Sequence, residues 1–225
     1  MFGGEAAGIA RNEAFFNAKG ISPQGSRLAV DLGAGSGFQS IPLAKSGFSV
    51  LAIDLSEKLL KELKANAGPL PIKTALDDLM NFEAHLEGTR PELIVCMTDT
   101  ILNLDSKEKV CELFAKAAKT LMPGGKLAIS FRDCSAELSD LDRFIPVRSD
   151  DNVIFTCFLE YEPKTVKVHD LVYRKAANGS WSLNKSFYRK LRLSKAWVDE
   201  KLKQAGFKSF DESVEHGMIS IIASK

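Results

Sequence analysis

The alternation of apolar and polar residues changes character near Asp133. Before that point, short apolar runs typical of buried strands alternate with stretches of helical periodicity. From Val110 to Leu121, for example, apolar residues recur at i, i+3, i+4, i+7, i+8 and i+11, which predicts one buried face of an α-helix. Continuous apolar strands separated by helices are typical of a parallel sheet covered on both faces. The predicted strands are residues 28–30, 49–53, 71–75, 93–97 and 126–131, and the predicted helices are a stretch ending near 45, then 57–66 and 106–121.

After Asp133 the pattern becomes β-prone, with runs separated by turn signals. The pair Asn178-Gly179 is typical of the turn in a β-hairpin. The predicted fold is therefore α/β: a doubly wound, mostly parallel sheet with a small antiparallel β ribbon inserted after the fifth strand. The expected elements of this half are antiparallel strands at 152–161, 165–173 and 181–189, a helix at 194–205, and a closing hairpin in 207–225 with 218–222 as a core strand.

Charge and cysteine usage narrow the class of protein. The 225 residues carry 30 lysines and arginines against 29 aspartates and glutamates, a net charge of +1. This balance argues against nucleic acid or an anionic membrane as the partner. The four cysteines form no Cys-x-x-Cys pair, no apolar run is long enough for a bilayer, and the first residues lack the pattern of a signal peptide. We expect a soluble cytoplasmic protein with reduced thiols and no metal site.

A glycine-rich loop follows the first predicted strand. Residues 30–37 read Val-Asp-Leu-Gly-Ala-Gly-Ser-Gly, and residues 33–37 are called the glycine loop below. Glycines here allow a tight turn and let a ligand approach the backbone next to a helix N-terminus. Asp54 lies 21 positions after Gly33, at the end of the second strand, where a carboxylate can accept hydrogen bonds from the hydroxyls of an adenosine ribose. The alternative is a turn that is needed only for packing.

The chemistry around the glycine loop favours a positively charged adenosine cofactor. A dinucleotide fingerprint requires a small sixth residue, but Phe38 occupies that position. Asp31, two residues before Gly33, can attract a cation, whereas a nicotinamide dinucleotide presents an anionic pyrophosphate. S-adenosylmethionine (SAM) presents a sulfonium and an ammonium group. A SAM-binding site is therefore favoured over the alternative of a nicotinamide-dependent oxidoreductase.

From about residue 27 to residue 131 the chain resembles the class I SAM-dependent methyltransferases. The glycine loop and Asp31 match the family's first motif, Asp54 matches its ribose-binding acid, and residues 121–127 resemble its Pro-Gly-Gly turn before the fifth strand. The resemblance implies a Rossmann-like methyltransferase fold, SAM as cofactor and S-adenosylhomocysteine as product. It implies that the cofactor is bound by Asp31, Gly33, Ala34, Gly35, Gly37, Asp54, Leu55, Leu76, Asp77 and Met97, with Leu55 packing on the adenine.

The third motif of the family is not matched. Many members carry an aspartate directly after the third strand, but here the aligned residues are Ala75-Leu76, followed by Asp77. Adenine recognition then depends on the backbone at Leu76 or on the side chain of Asp77. The alternative is that Asp77 is a surface carboxylate.

Beyond Cys96 the layout is most similar to the glycine/sarcosine N-methyltransferase branch of the family. Residues 103–105 resemble that branch's turn after the fourth strand, and residues 129–133 resemble its fifth-strand exit. The resemblance implies that Asp99 and Arg132 position the acceptor, with Arg132 clamping an anionic group. The alternative is a salt bridge from Arg132 to Asp133 or Asp99. Phe15-Phe16 either covers the cofactor or packs a helix on the core.

These interpretations define one expected function and its alternatives. We expect methyl transfer from SAM to a small-molecule acceptor, an amine or amino-acid-like compound, by in-line displacement. The alternatives are a non-catalytic SAM-binding protein and a methyltransferase that acts on RNA or protein. The sequence does not indicate an oligomeric state. The expected layout is a single domain, 1–225, with an N-terminal helical lid (1–26), a SAM-binding core (27–133), an antiparallel cap (134–192), and a C-terminal helix with closing strands (193–225).

Overall fold

The part of the chain that the structure describes contains eleven strands, arranged in two sheets. The computed structural model describes residues 4–225. The strands are β1 (Leu28–Leu32), β2 (Ser49–Asp54), β3 (Ile72–Leu76), β4 (Leu93–Cys96), β5 (Lys126–Arg132), β6 (Phe144–Ser149), β7 (Val153–Tyr161), β8 (Thr165–Lys175), β9 (Trp181–Leu191), β10 (Ser209–Glu215) and β11 (Met218–Ser224).

The larger sheet has seven strands in the order β10-β11-β5-β4-β1-β2-β3. Strands β1 to β5 are parallel, whereas β11 is antiparallel to both β5 and β10. The chain order reverses between β1 and β4, and ligands of open α/β sheets bind beyond the carboxyl ends of the strands at such a point. The predicted doubly wound, mostly parallel sheet and its closing hairpin are confirmed.

Helices cover both faces of this sheet, and three of them begin at a serine cap. The Oγ of Ser56 accepts a hydrogen bond from the N–H of Leu59, and Ser106 and Ser194 cap their helices in the same way. No helix within residues 4–225 is long and apolar enough to cross a membrane. The α-helices are α1 (Gly4–Ala18), α2 (Ser40–Lys45), α3 (Glu57–Ala67), α4 (Lys107–Thr120) and α5 (Lys195–Gln204), and the 3₁₀ helices are Leu79–His85, Thr100–Asn103 and Asp140–Arg143.

The core lies on the two faces of the seven-stranded sheet. The predicted apolar face of α4 is buried, with Val110 and Phe114 both fully inaccessible. On the opposite face, Phe16 of α1 is only 2% exposed and packs among core residues that include Phe48. Of the two interpretations of the N-terminal helix, packing on the core therefore holds for Phe16, and burial of its ring stabilises the fold by about 1.5–3 kcal/mol.

Strands β6 to β9 form a separate antiparallel sheet, called the cap sheet below. The sequence predicted three of its strands, but β6 was missed because Pro146 and mostly exposed residues give it no buried alternation. The Asn178-Gly179 turn joins β8 to β9 as predicted. The segment that contains the cap sheet leaves and rejoins the core at one point, where the N–H of Cys134 donates to the carbonyl of Leu193 at 3.2 Å.

Candidate functional site

The glycine loop leaves β1 at the carboxyl edge of the seven-stranded sheet. The N–H groups of Gly33 and Ala34 both donate to the carbonyl of Ile53, which ties the loop to β2. A Cβ on Gly37, where φ is +97°, would lie 2.2 Å from Leu63, so only glycine fits there. A Cβ on Gly35 would meet nothing within 4 Å. The loop is therefore tightly packed at Gly37 and open at Gly35. We call the space beyond the carboxyl ends of the parallel strands, which Gly35 borders, the crevice.

Asp54 joins the glycine loop to the start of α3. Its Oδ2 accepts a hydrogen bond from the N–H of Gly35 at 2.8 Å, and its Oδ1 accepts one from the N–H of Ser56 at 2.7 Å. An ionised carboxylate offers about four acceptor positions, so each oxygen keeps a lone pair for a further donor. The half-buried carboxylate is thus fixed in place and still fits the two hydroxyls of a ribose.

Two leucines are exposed at the carboxyl ends of neighbouring strands. Leu55 is 75% exposed and Leu76 is 58% exposed. Asp54 and Leu76 are register partners in β2 and β3, which places both leucines at the same edge of the sheet. These two exposed leucines lie beside the open position at Gly35 and the carboxylate of Asp54. Such apolar surface suits the flat face of an adenine. The residues present therefore fit the nucleoside part of SAM.

The side chain of Asp77 is already engaged within the protein. Its Oδ1 accepts from the amide of Asn81 at 2.8 Å and from the N–H of Asp78, and its Oδ2 lies 2.8 Å from Nε2 of His85. The hydrogen bonds from Asn81 and then from His85 lower the pKa of Asp77. This carboxylate anchors the 3₁₀ helix Leu79–His85. Recognition of the adenine amine by the side chain of Asp77 or by the backbone at Leu76 stays a prediction with two candidates.

Asp31 lies beneath the glycine loop and not on its surface. It is 1% exposed and accepts a 2.6 Å hydrogen bond from the hydroxyl of Ser40 in α2. Burial raises its pKa to about 7, with the Ser40 hydrogen bond acting against the shift and the neighbouring Asp54 adding to it. The expectation that Asp31 attracts the cationic part of a ligand stays a prediction, now for a carboxyl group that the loop covers.

The chain turns sharply after β4, where Met97 is 7% exposed. Thr98 and Asp99 follow in the left-handed region, with φ values of 60° and 68°. Ser130 of β5 holds this turn, since its Oγ accepts from the N–H of Thr98 at 2.7 Å and its carbonyl accepts from the N–H of Asp99 at 2.9 Å. A non-glycine residue in the left-handed region costs about 1–3 kcal/mol of folding free energy, and such residues cluster at active and binding sites.

Asp99 holds two cations from different parts of the fold. Its Oδ2 lies 2.5 Å from Nη1 of Arg132 and 2.6 Å from Nζ of Lys190 in β9, and its Oδ1 accepts from the N–H of Arg132 at 2.8 Å. The Asp99 side chain is 5% exposed, that of Lys190 14%, and that of Arg132 55%. Of the alternatives for Arg132, the salt bridge to Asp99 forms, whereas Asp133 accepts from the N–H of Lys195 at the start of α5.

The Asp99 salt bridge does not use up the guanidinium of Arg132. Only Nη1 donates to a carboxylate among the described residues, and more than half of the side chain is accessible. Two cations against one carboxylate leave a formal excess of one positive charge at this edge. The arrangement therefore keeps Arg132 available to an anionic or hydroxyl group of a bound molecule.

Three contributors to the site were missed by the sequence analysis. Lys190 and Ser130 bind the turn formed by Thr98 and Asp99, called the Asp99 turn below. The amide of Gln39 donates to Oγ1 of Thr98 at 3.1 Å. Lys190 and Asp99 are 91 positions apart. The only signal in the sequence was that Lys190 ends a β-prone run with alternating faces, which does not specify a partner.

Comparison with known proteins supports the resemblance. Residues 29–125 match a family model described as a methyltransferase domain. The chain is 31% identical to the "Ubiquinone biosynthesis O-methyltransferase" of Caulobacter sp. (strain K31) over 48% of this chain and 41% of that protein. It is 26% identical to the "Glycine/sarcosine N-methyltransferase" of Aphanothece halophytica over 54% of this chain and 46% of that protein. The chain thus spans less than half the length of both relatives.

The fold is also that of a solved methyltransferase. The structure of the CcbJ methyltransferase from Streptomyces caelestis aligns with a TM-score of 0.79 and 21% identity, covering 99% of this chain and 98% of that chain. At this identity the likeness concerns the fold. It includes nearly all of the chain, so the predicted Rossmann-like architecture is confirmed.

Proposed function

We propose that this chain, in which residues 29–125 form a methyltransferase domain, transfers the methyl group of SAM to a small-molecule acceptor. The observation that carries the proposal is Asp54, a carboxylate held by the glycine loop and by α3 with acceptor positions left for a ribose. Gly35 leaves the space for the nucleoside, and Leu55 and Leu76 offer apolar surface to its base.

When bound, SAM would supply an electrophilic methyl carbon on a sulfonium. An acceptor lone pair would attack that carbon in line as the carbon–sulfur bond breaks, so that S-adenosylhomocysteine leaves and the methylated acceptor gives up its proton. The chain contributes positioning. Asp54 holds one end of the cofactor, and the turn that contains Asp99, which Lys190 joins to the cap sheet, lies on the acceptor side. Orientation of two reactants in this way can supply about 7–11 kcal/mol of the barrier.

The acceptor is proposed to be an amine or an amino-acid-like compound. Support comes from the excess positive charge at Arg132 and Lys190, which suits an acidic or hydroxyl group of the acceptor. The name of the Aphanothece relative also points to an amino acid acceptor, whereas that of the Caulobacter relative points to an oxygen acceptor. We place the reaction in the cytoplasm, because all four cysteines are free thiols.

Calorimetry with SAM tests the cofactor part of the proposal. We expect micromolar binding to the wild type and no detectable binding to Asp54→Ala, which removes the ribose acceptor. Glu57→Ala is the matched control, since it removes a 66% exposed carboxylate from the first turn of α3. Absence of binding heat at millimolar SAM, or equal affinity in Asp54→Ala, contradicts the proposal.

Turnover separates an enzyme from a non-catalytic SAM-binding protein. A panel of small amines, acids and phenols is screened for acceptor-dependent release of S-adenosylhomocysteine. Release with a small acceptor supports the proposal, whereas SAM binding without release from any acceptor supports the binding protein. A thermal-shift comparison of NAD with SAM tests the oxidoreductase alternative, for which we expect stabilisation by SAM alone.

A further inference from the structure

One face of the cap sheet is directed at the Asp99 turn. Lys190 lies on this face, and its ammonium group reaches Asp99. Val166 and Val168, register partners of Lys190 and Tyr188, are 2% and 5% exposed. Because side chains alternate along a strand, residues two positions apart share a face. The core-facing side of the cap sheet therefore carries Lys190, then Tyr188, then Ser186 along β9.

Asp170 occupies the same face of β8. It is the register partner of both Ser186 in β9 and Cys157 in β7. The three residues thus form one row across the sheet, next to the row that contains Tyr188. At about 3.3–3.4 Å per residue, Asp170 is displaced along the sheet by about 13 Å from the Lys190 row. This separation matches the length of a small organic molecule.

The carboxylate of Asp170 lacks a cationic partner among the described residues. It is half-buried, and its Oδ1 accepts one hydrogen bond, from the thiol of Cys157 at 3.3 Å. No Lys, Arg or His of residues 4–225 lies within ion-pair distance of it, whereas Glu160, on the opposite face of the cap sheet, pairs with Lys167 and His169. Partial burial of an unpaired carboxylate is unfavourable, and a bound cation would relieve that cost.

The charges of Asp170 and of the residues at the Asp99 turn affect the pKa values of the same side chains. Burial and then the charge of Asp170 raise the pKa of Tyr188 to about 12. Smaller contributions from Cys157 and Asp99 add to this shift, and Arg132 acts against it. Burial and the Asp170 carboxylate likewise raise the pKa of Cys157 to about 12, opposed by Lys190 and Arg132. The Asp170 carboxylate and the Asp99–Arg132 pair therefore lie close enough to act on the same two side chains, with the unpaired negative charge on the cap sheet.

We infer that Asp170 binds an ammonium group of the acceptor, so that the substrate class is an amine-bearing small molecule whose ammonium replaces the missing ion-pair partner. This ammonium is a recognition group. A protonated nitrogen has no lone pair, so the methyl group goes to a second nucleophilic atom of the same molecule, which loses its proton as S-adenosylhomocysteine leaves. The inference rests on the proposed methyl transfer and assigns to it a specificity-determining residue. Tyr188 lies in the next row of the same face, and Arg132 lies at the Asp99 end, where Lys190 also binds. An uncharged alcohol of the same skeleton would leave Asp170 unpaired and bind less tightly.

The test compares amines with alcohols of the same carbon skeleton. SAM-saturated protein is assayed for S-adenosylhomocysteine release with tyramine against tyrosol and with glucosamine against glucose. We expect the wild type to favour at least one amine over its alcohol. Asp170→Asn is expected to lower kcat/KM for that amine by about 10- to 100-fold, mainly through KM, since a charge-assisted hydrogen bond is lost. Asp170→Glu should recover part of the loss, because it restores the charge.

The controls separate this inference from the methyltransferase proposal. Glu160→Gln removes a carboxylate from the outer face of the same sheet and should leave the amine preference unchanged. Calorimetry with SAM should give the same affinity for wild type and Asp170→Asn. The inference is overturned if the amine preference survives Asp170→Asn, if the wild type prefers the alcohols, or if SAM-bound wild type turns over neither amine. Failure to bind SAM overturns the proposed function itself.

Discussion

Lys190 of the cap sheet donates a 2.6 Å hydrogen bond to Asp99 at the end of β4, which joins the two sheets at the edge of the crevice. Both side chains are largely buried, and Arg132 shares the same carboxylate oxygen. Removing one partner of a buried ion pair costs about 3–5 kcal/mol when the remaining charge is left alone. The position of the cap sheet therefore depends on a charge held by a strained turn.

The ion pair between Asp99 and Lys190 predicts that Asp99→Asn lowers the free energy of unfolding more than Lys190→Met does. Asp99→Asn leaves Lys190 and Arg132 without their carboxylate, so we expect a loss of about 3–5 kcal/mol in the free energy of unfolding. Lys190→Met leaves Asp99 paired with Arg132, and the loss should be smaller. Urea unfolding measures both. Lys73→Met, which breaks an exposed pair with Glu87, is the control and should change little. Equal stability of Asp99→Asn and wild type would contradict the prediction.

Two glycines of the same loop should respond in opposite ways to alanine. Gly37→Ala places a Cβ 2.2 Å from Leu63 and should destabilise the fold by about 1–3 kcal/mol, as overpacking does. Gly35→Ala meets open space and should lose only about 1–2 kcal/mol, the cost of a left-handed φ of +53° for alanine, but its methyl group would enter the cofactor crevice. Thermal unfolding and SAM calorimetry distinguish the two. Normal SAM affinity in Gly35→Ala would show that the nucleoside does not approach this position.

The exposed leucines predict a loss of affinity without a loss of stability. Leu55→Ser and Leu76→Ser remove apolar surface that is already accessible in the protein, so the melting temperature should hardly change. If the adenine packs there, SAM affinity should fall about tenfold for each substitution. Val214→Ser, at a residue that is 64% exposed on β10, is the control. Unchanged SAM affinity in both leucine variants would place the adenine elsewhere.

Asp31 predicts a pH dependence of stability. Its pKa is raised from 3.8 to about 7 in the folded protein, so the folded state binds this proton more tightly than the unfolded state. The stabilisation is complete below about pH 4 and is lost as the pH rises through about 7, at about 1.4 kcal/mol per unit of pKa difference. Asp31→Asn should remove this decline. Urea unfolding between pH 5 and about pH 8 measures it, and parallel curves for the two proteins would refute it.

The cofactor half of the site could be predicted because its signals are local. The glycine loop, Asp54 and the apolar face of α4 follow from spacings within one or two elements, and the structure has them where the sequence indicated. The role of Asp77 was not predictable in the same way, because its partners Asn81 and His85 depend on a 3₁₀ helix that periodicity does not reveal.

The acceptor side depends on long-range register, which the sequence does not specify. The core-facing position of Asp170 is set by pairing among β7, β8 and β9, and the Lys190–Asp99 contact joins residues that are 91 positions apart. The alternation of β-prone residues showed that two faces exist. It did not show which one meets the parallel sheet.

The hydrogen bond between Cys134 and Leu193 brings together the two ends of the segment that builds the cap sheet. The four strands of that segment also neighbour one another in chain order. A segment whose two ends lie side by side can be replaced by another such segment, or cassette, without altering the strand order of the seven-stranded sheet. Acceptor choice and cofactor use can therefore diverge separately in evolution, provided that each new cassette keeps a cation for Asp99.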